Sequence, residues 1–193
     1  MKILILGAAF DPPHSGHALM AIEAIRRGIA DQVILMPCGN HAFNKTMSPA
    51  SDRYQMTVLL ISELVGEAGS HFVVSDLEIK RAGVSYAFDT LNEVQRQYPK
   101  DEVGWLLGSD QLPQFSKWHK YKEILKKYPV YVYPRAGYSN EPLLLGMKKI
   151  VGVPECEFSS TEVRDTLRAG GEITTMVGSA VAKYIEEKKL WNK

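Results

Sequence analysis

Residues 7–17 have the sequence GAAFDPPHSGH and join an apolar run to the first amphipathic segment of the chain. The apolar run, residues 2–7, predicts a buried strand, and residues 16–28 have the apolar spacing of a helix. Doubly wound folds place their ligands beyond the carboxyl ends of their strands, where such strand-to-helix turns lie. This turn is therefore the first candidate for a functional site.

The residues of the turn suit a phosphate ligand. Gly7, Ala8 and Ala9 are small, so backbone amides there can approach a ligand closely. His14 and His17 are three residues apart and point to one side of a first helical turn. The helix N-terminus adds partial positive charge and N–H donors at the same place. Two imidazoles beside a helix start predict a phosphate clamp.

Three other interpretations of the turn compete with this one. The first is a capped turn with incidental histidines, and the second is a zinc site formed by Asp11, His14 and His17. Zinc-binding helices more often space their histidines four residues apart, as in HExxH. The third is a nicotinamide-dinucleotide dehydrogenase, which would carry GxGxxG here, and this sequence does not have that motif. The phosphate clamp accounts best for the whole cluster.

Short apolar runs alternate with amphipathic ones along the rest of the chain. Further strands are predicted at 33–37, 72–75, 103–107, 130–133 and 150–153, and helices at 51–65, 86–98, 121–127, 160–169 and 177–188. Runs that are apolar on both faces suit a parallel sheet covered by helices on each side. We therefore expect an α/β fold with a doubly wound, mostly parallel sheet and a C-terminal helical cap over about residues 154–193. We expect residues 1–193 to form one domain.

Composition limits the classes of partner. The 193 residues include 23 Lys plus Arg and 22 Asp plus Glu, so the net charge is +1 and no global field favours a nucleic acid or an anionic membrane. Cys38 and Cys156 lack CxxC spacing and indicate neither a zinc site nor a disulfide framework. No uncharged apolar stretch approaches the roughly 18 residues of a membrane span. We expect a cytoplasmic protein that binds a small anionic ligand in a pocket.

A second motif, FSSTEVR, occupies residues 158–164. Ser159 and Glu162 fit the S/T-x-x-E capping box that begins many helices. Capping does not explain three consecutive hydroxyl residues (159–161) followed by Arg164. A helix start lined with hydroxyl groups and an arginine predicts a second phosphate cradle. We expect the two motifs to face each other across one cleft and to grip a triphosphate together.

Both motifs resemble those of a known family. GAAFDPPHSGH is similar to the phosphate-binding signature of the nucleotidyltransferase superfamily that contains nicotinate-nucleotide adenylyltransferase, and residues 158–164 resemble its Ile-Ser-Ser-Thr-x-x-Arg. Residues 86–91, YAFDTL, resemble its Ser-Tyr-Thr-x-x-Thr-Leu segment, and residues 108–118 resemble its Gly-x-Asp…Trp stretch. The resemblance covers essentially the whole chain. It implies a Rossmann-like nucleotidyltransferase fold.

The resemblance also implies a reaction and its residues. The reaction is adenylyl transfer from ATP to nicotinate mononucleotide, which gives nicotinate adenine dinucleotide and pyrophosphate in NAD biosynthesis. The implied catalytic residues are His14, His17, Arg164 and Lys45. The residues implied to bind ATP are Gly7, Ala8, Ala9, Phe10, Gly16, Gly108, Asp110, Ser159, Ser160 and Thr161. The residues implied to bind the acceptor are Asp11, Tyr86, Ala87, Thr90 and Trp118.

Four departures from the family pattern keep alternatives open. Ala8 and Ala9 replace a glycine and a hydroxyl residue, Ala87 replaces a threonine, and Phe43-Asn44-Lys45 stands where the family has Pro-His-Lys. Ala87 and the change at residues 43–45 leave nicotinamide mononucleotide and 4'-phosphopantetheine open as alternative acceptors. Ala9 and the missing loop histidine keep open a nucleotide-binding protein of the same fold that no longer catalyses transfer.

The chemistry of this reaction requires positioning more than a protein nucleophile, because the attacking group is the ionised phosphate of the acceptor. We expect a bound anion to raise the pKa of His14 and His17. We expect Mg²⁺ on ATP phosphates and water, since the motifs contain no carboxylate cage. Arg53 and Arg135 are each assigned to a phosphate contact or a surface ion pair. A homo-oligomer is compatible with the sequence, which does not define it.

Overall fold

A computed structural model describes residues 1–43, 46–65, 70–155 and 157–191. In these ranges the strands are β1 (Lys2–Ala8), β2 (Gln32–Pro37), β3 (Asn40–His41), β4 (Phe72–Val74), β5 (Val84–Ser85), β6 (Glu102–Gly108), β7 (Val130–Tyr133) and β8 (Met147–Lys149). The helices are α1 (Ser15–Arg26), α2 (Ala50–Val65), α3 (Leu77–Lys80), α4 (Ala87–Gln97), α5 (Leu112–Phe115), α6 (Tyr121–Lys127), α7 (Ser160–Arg168), α8 (Thr174–Val177) and α9 (Ser179–Lys188).

Six of these strands form one sheet in the order β4-β2-β1-β6-β7-β8, and every pair in it is parallel. The chain proceeds outward from β1 through β2 to β4, returns to the other side of β1, and proceeds outward again from β6 to β8. The strand order therefore reverses between β1 and β6. In doubly wound sheets this switch point opens a crevice beyond the carboxyl ends of the two strands.

Alternation along β1 explains why both faces of the sheet are covered. Leu4 and Leu6 belong to a buried cluster that contains residues of α1, α2, α7, α8 and α9. Ile3 and Ile5 belong to a second buried cluster, which contains residues of α4, α5 and α6. Because successive side chains of a strand point to opposite faces, a strand that is apolar throughout needs helices on both sides. The expected doubly wound α/β fold is confirmed.

The C-terminal helices differ slightly from the predicted cap. The predicted helix at 177–188 is interrupted at Gly178, whose φ of +83° favours glycine, so α8 ends before it and α9 begins after it. Glu63 of α2 caps the start of α9, since its carboxylate accepts hydrogen bonds from the backbone N–H groups of Ser179 and Ala180, both at 2.8 Å. The helical cap thus packs on the face that carries α1 and α2.

The last strand was predicted in the wrong place. β8 lies at Met147–Lys149, not at 150–153, although the backbone N–H of Ile150 still donates to Val132. The strand is at the edge of the sheet, where Met147 is buried but Lys148 and Lys149 are exposed. Charged residues are usual on edge strands, so the apolar run at 150–153 did not coincide with the strand. The two-residue strands β3 and β5 and the short helices α3 and α5 were also not predicted.

None of the helices in the described ranges combines the length and the apolar character needed to cross a membrane.

Candidate active site

A cavity of about 810 Å³ opens at the switch point between β1 and β6. Its volume is in the range typical of small-molecule sites. The lining includes the 7–10 turn, both histidines of the first motif and residues 159–161 of the second. Residues 85–87, 117–119, Trp105 and Arg135 are also part of the wall. Both phosphate motifs therefore meet in one cavity, as their sequences predicted.

The first motif turns sharply out of β1. Phe10 has a φ of 52°, in the left-handed region, and its buried ring lies 4.7 Å from the ring of His17. A Cβ on Gly7 would lie 2.4 Å from Cζ2 of Trp105, so glycine is required here by the indole that crosses it. Close approach of a ligand was the reason expected for this glycine, and packing against Trp105 is an additional one.

His14 and His17 form a buried pair at the start of α1. His14 is 1% exposed and His17 is 8% exposed, and their ring centroids are 3.9 Å apart. The backbone N–H of His14 donates to Nδ1 of His17 at 3.3 Å, which leaves the proton of a neutral His17 ring on Nε2. Nδ1 of His14 is buried and has no hydrogen-bond partner among the described residues. A buried ring nitrogen in a cavity wall is a ready partner for a ligand.

Burial lowers the pKa of both imidazoles. It is the largest cause of the shift that takes the pKa of His14 well below its ordinary value and the pKa of His17 to about 3. The nearby positive charge of Arg135 lowers both further. Both rings are therefore neutral at pH 7 in the free protein, and a neutral ring can donate one N–H without carrying a full charge. The expected rise concerns the protein with a bound anion and stays a prediction.

This arrangement predicts a pH dependence of stability. The unfolded chain binds a proton at His17 below about pH 6.5, whereas the folded protein does so only near pH 3, so acid favours unfolding across that window. When the pH is lowered from about 7.5 to about 5.5, the protonation of His17 in the unfolded chain should lower the free energy of unfolding by on the order of 1 kcal/mol. His14 should change this free energy in the same direction. Urea denaturation at both pH values measures this. The His17→Gln variant should lose less stability on acidification, and equal losses in both proteins would contradict the assignment.

The second motif begins α7 and contacts the first motif directly. The Ser160 hydroxyl donates to the Pro12 carbonyl at 2.8 Å, and Arg164 Nη1 donates to the Asp11 carbonyl at 2.6 Å. Ser159 and Glu162 form the predicted capping box, with hydrogen bonds of 3.2 and 2.7 Å. Only the Ser160 O–H is used as a donor here, because the Ser159 hydroxyl accepts from the Glu162 N–H and the Thr161 hydroxyl accepts from Arg164 Nη2 at 3.1 Å. The backbone N–H groups and two O–H groups are therefore the donors that this helix start can offer to a ligand.

Arg135 connects the end of β6 to the second motif. Its Nη2 donates to the Phe158 carbonyl at 2.5 Å, and its Nη1 lies 3.5 Å from the Asp110 carboxylate. Its Nε is buried without a hydrogen-bond partner among the described residues. A Cβ on Gly108 would lie 2.4 Å from Asp110 Oδ1 and 2.7 Å from Arg135 Cδ, so this glycine makes room for the pair. The ion pair considered from the sequence is therefore present but partly buried, and since Arg135 also lines the cavity, the phosphate contact stays a prediction.

Aromatic side chains form the opposite wall. The Tyr86 ring lies 4.6 Å from the His119 ring, and Trp118 packs against Phe115 at 4.9 Å. Trp118 also meets the ring of Trp105 edge-on at 5.9 Å. Sequence reasoning found Tyr86 and Trp118 but missed His119 and Trp105. The position of His119 beside Trp118 was a usable signal, whereas Trp105 sits in an apolar strand and resembles an ordinary core residue.

Several predicted site residues do not line the cavity. Thr90 is fully buried behind the wall, where its hydroxyl donates to Glu78 and accepts from Arg81 Nη2 at 2.9 Å. This position corrects the expected direct contact with the acceptor. The Asp11 carboxylate accepts from the Ser48 backbone N–H at 3.3 Å. Asp11, Gly16 and Arg164 are outside the lining. Lys45 is outside the described residues.

Arg53 has a role that neither expectation included. It is 1% exposed and donates to three backbone carbonyls: Nη1 to Ala9 at 2.8 Å, Nε to Ser48 at 3.0 Å and Nη2 to Gly39 at 3.3 Å. It therefore contacts neither the surface nor the cavity. Its planar guanidinium therefore connects the 7–10 turn, through Ala9, to the loop that follows β2.

The comparisons agree with this geometry. A family model described as cytidylyltransferase-like matches residues 5–166. A Dehalococcoides mccartyi protein named "Probable nicotinate-nucleotide adenylyltransferase" is 36% identical over 205 residues, which cover 100% of this chain and 98% of that protein. The Bacillus subtilis nicotinate-nucleotide adenylyltransferase is 32% identical over 195 residues and 98% of each chain.

A solved structure supports the fold. The Plasmodium falciparum nicotinic acid mononucleotide adenylyltransferase complexed with NaAD superposes with a TM-score of 0.85 over 99% of this chain and 97% of that chain, at 18% identity. A likeness at that identity concerns the fold alone. The family model and the full-length relatives carry the assignment further: this chain belongs to the cytidylyltransferase-like family, among the nicotinate-nucleotide adenylyltransferases.

Proposed function

We propose that this enzyme transfers the adenylyl group of ATP to nicotinate mononucleotide and releases pyrophosphate, within a single nucleotidyltransferase domain that spans residues 1–193. The observation that carries the proposal is the contact between the two phosphate motifs, 2.8 Å from Ser160 to Pro12 and 2.6 Å from Arg164 to Asp11, beside two buried histidines. The names of the full-length relatives support the choice of substrates.

In the proposed reaction, a phosphate oxygen of the acceptor attacks the α-phosphorus of ATP, and the bond from that phosphorus to the bridging oxygen breaks. The electron pair leaves with pyrophosphate, so no protein nucleophile is needed. The buried thiol of Cys38 fits this scheme, since burial raises its pKa to about 11 and keeps it protonated. Positioning and preorganised donors supply the catalysis.

We assign the phosphate end of the cavity to ATP. His14 and His17 donate N–H groups to its phosphates, and the 7–10 turn, Gly108 and residues 159–161 enclose it. Arg135 joins this set because it lines the same cavity as both histidines, its positive charge acts on both, and its Nη2 donates to Phe158 of the second motif. Arg164 and Gly16 act through the backbone that they position, since neither lines the cavity. Lys45 stays a prediction.

We assign the aromatic wall to the acceptor. Trp118 offers a face for stacking against a pyridine ring, and the backbone near Tyr86 and Ala87 offers donors for its carboxylate. Thr90 supports this wall from behind through Glu78. Asp11 holds the loop at Ser48 in place. These two residues are therefore positioning residues in the proposal.

Mg²⁺ enters the proposal with ATP. Within the described ranges no group of three or more His, Cys, Asp or Glu side chains is arranged to hold a metal ion. We place the metal mainly on phosphate oxygens and water, where it would offset the charge of the polyphosphate. A cytoplasmic location also stays a prediction.

A panel of acceptors tests the function. With ATP and Mg²⁺, pyrophosphate release should be fastest with nicotinate mononucleotide, slower with nicotinamide mononucleotide, and at background with 4'-phosphopantetheine. Pyrophosphate release is read in a coupled assay, and product masses identify the dinucleotide. A different preferred acceptor would replace the proposed substrate. ATP binding with no release for any acceptor would favour the alternative of an inactive nucleotide-binding protein, which the two buried histidines argue against.

A further inference from the structure

Trp105 on β6 carries a donor that the proposed reaction has not used. The residue is 4% exposed and lines the cavity. Its indole N–H is buried and has no hydrogen-bond partner among the described residues. Nearly all buried polar groups in folded proteins are paired, so an unpaired donor in a cavity wall indicates a partner on a ligand.

The surroundings of Trp105 define which part of a ligand it meets. One edge of the indole crosses Gly7, where a Cβ would come within 2.4 Å of Cζ2. The ring meets Trp118 at 5.9 Å with an interplanar angle of 86°. Trp105 therefore lies between the 7–10 turn and the aromatic wall that contains Trp118. It belongs to the buried cluster on the Trp118 side of the sheet.

The chemistry of the ligand atom follows from the donor. An indole N–H can only donate, so its partner must be an acceptor atom, and a carboxylate offers two oxygens with no competing donor. The acidic groups in this part of the lining have protein partners: Asp110 pairs with Arg135, and Glu78 accepts from Thr90 and lies 3.9 Å from Arg81. Lys117 and His119 line the same side of the cavity and add positive or donor character.

We propose that Trp105 forms a second aromatic wall of the acceptor subsite and donates its indole N–H to the ring carboxylate of the acceptor, alongside the backbone N–H groups near Tyr86 and Ala87. This inference rests on the proposed function and adds a specificity-determining residue to it. The hydrogen bond from the indole N–H to a carboxylate is charge-assisted. A carboxamide can accept the same N–H only through its one neutral carbonyl oxygen, which gives a weaker hydrogen bond.

Trp105→Phe tests the hydrogen bond because it keeps an aromatic ring beside Gly7 and removes the N–H. The KM for nicotinate mononucleotide should rise about 10- to 100-fold, as expected for loss of a hydrogen bond to a charged group. The KM for ATP should change less than about threefold, and the preference for nicotinate over nicotinamide mononucleotide should fall. Trp191→Phe is the matched control, since Trp191 packs in the other buried cluster. It should leave all three quantities unchanged.

An independent readout observes the indole directly. The chain has three tryptophans, so a ¹⁵N-labelled sample gives a small set of indole resonances that Trp191→Phe and Trp118→Phe help to assign even if Trp105→Phe does not fold. The Trp105 resonance should move on titration with nicotinate mononucleotide, and it should move less with nicotinamide mononucleotide, which lacks the carboxylate.

The outcomes separate the two proposals. An unchanged KM for the acceptor in Trp105→Phe, or a Trp105 resonance that responds equally to nicotinate and nicotinamide mononucleotide, would overturn the assignment of Trp105. A wild-type protein that releases no pyrophosphate but shows the acceptor-dependent shift would overturn the proposed function and keep the binding role of Trp105.

Discussion

Replacement of His14 by alanine should lower kcat about 100- to 1000-fold, which corresponds to about 2.7–4 kcal/mol of lost transition-state stabilisation. The reason is the position of the imidazole: it is 1% exposed, its Nδ1 has no partner among the described residues, and burial keeps it neutral. A neutral donor fixed in a low-dielectric wall contributes most when negative charge develops on a transferring phosphate. Steady-state pyrophosphate release measures the effect.

The same experiment distinguishes catalysis from binding. The KM for ATP should change far less than kcat, because the donor acts mainly in the transition state. The backbone hydrogen bonds of His14 to His17 do not depend on the imidazole and remain in the variant. His71→Ala is the matched control, since His71 is an exposed histidine that lies outside the cavity lining. A loss of turnover smaller than threefold in His14→Ala would remove His14 from the catalytic residues.

Replacement of Arg53 by methionine should lower the free energy of unfolding by about 3 kcal/mol or more. Methionine fills similar space but leaves the carbonyls of Ala9, Gly39 and Ser48 without the guanidinium that donates to all three. A partly buried acceptor that loses its donor costs about 1–3 kcal/mol. For a chain of this size the loss corresponds to a fall in Tm of roughly 6–12 °C. Urea denaturation and calorimetry measure the two quantities.

Arg168→Met is the control for this prediction, because it makes the same substitution at a residue whose side chain is 46% exposed and pairs with Asp165 one turn away. It should change the free energy of unfolding by less than about 0.5 kcal/mol. Arg53→Lys should recover only part of the lost stability, since one ammonium cannot reproduce a planar fork to three carbonyls. If the Arg53→Met and Arg168→Met variants had the same free energy of unfolding, the three hydrogen bonds of Arg53 would contribute little to stability.

Local patterns in the sequence were sufficient for the sheet, the main helices and the two phosphate motifs. The strands of the parallel sheet are apolar on both faces, and helix starts carry capping residues, so each signal lies within a few neighbouring residues. The α6 helix, Tyr121–Lys127, has the predicted bounds, and the capping box of Ser159 and Glu162 was predicted from spacing alone. β8 was misplaced because an edge strand need not be apolar.

The roles of individual side chains depended on contacts between residues that are distant along the chain. Arg53 and Arg135 are the same residue type, yet Arg53 donates to three partly buried carbonyls and Arg135 lines the cavity, because different loops surround them. Thr90 matched the expected motif but lies behind the wall, and Trp105 matched none but lies in it. The pKa of the two histidines followed burial that no spacing reveals. Short-range periodicity predicts where a chain forms helices and strands, because that signal lies within neighbouring residues. Hydrogen bonding, desolvation and packing act between residues that are distant along the chain, so only the tertiary structure determines the partner of each polar group.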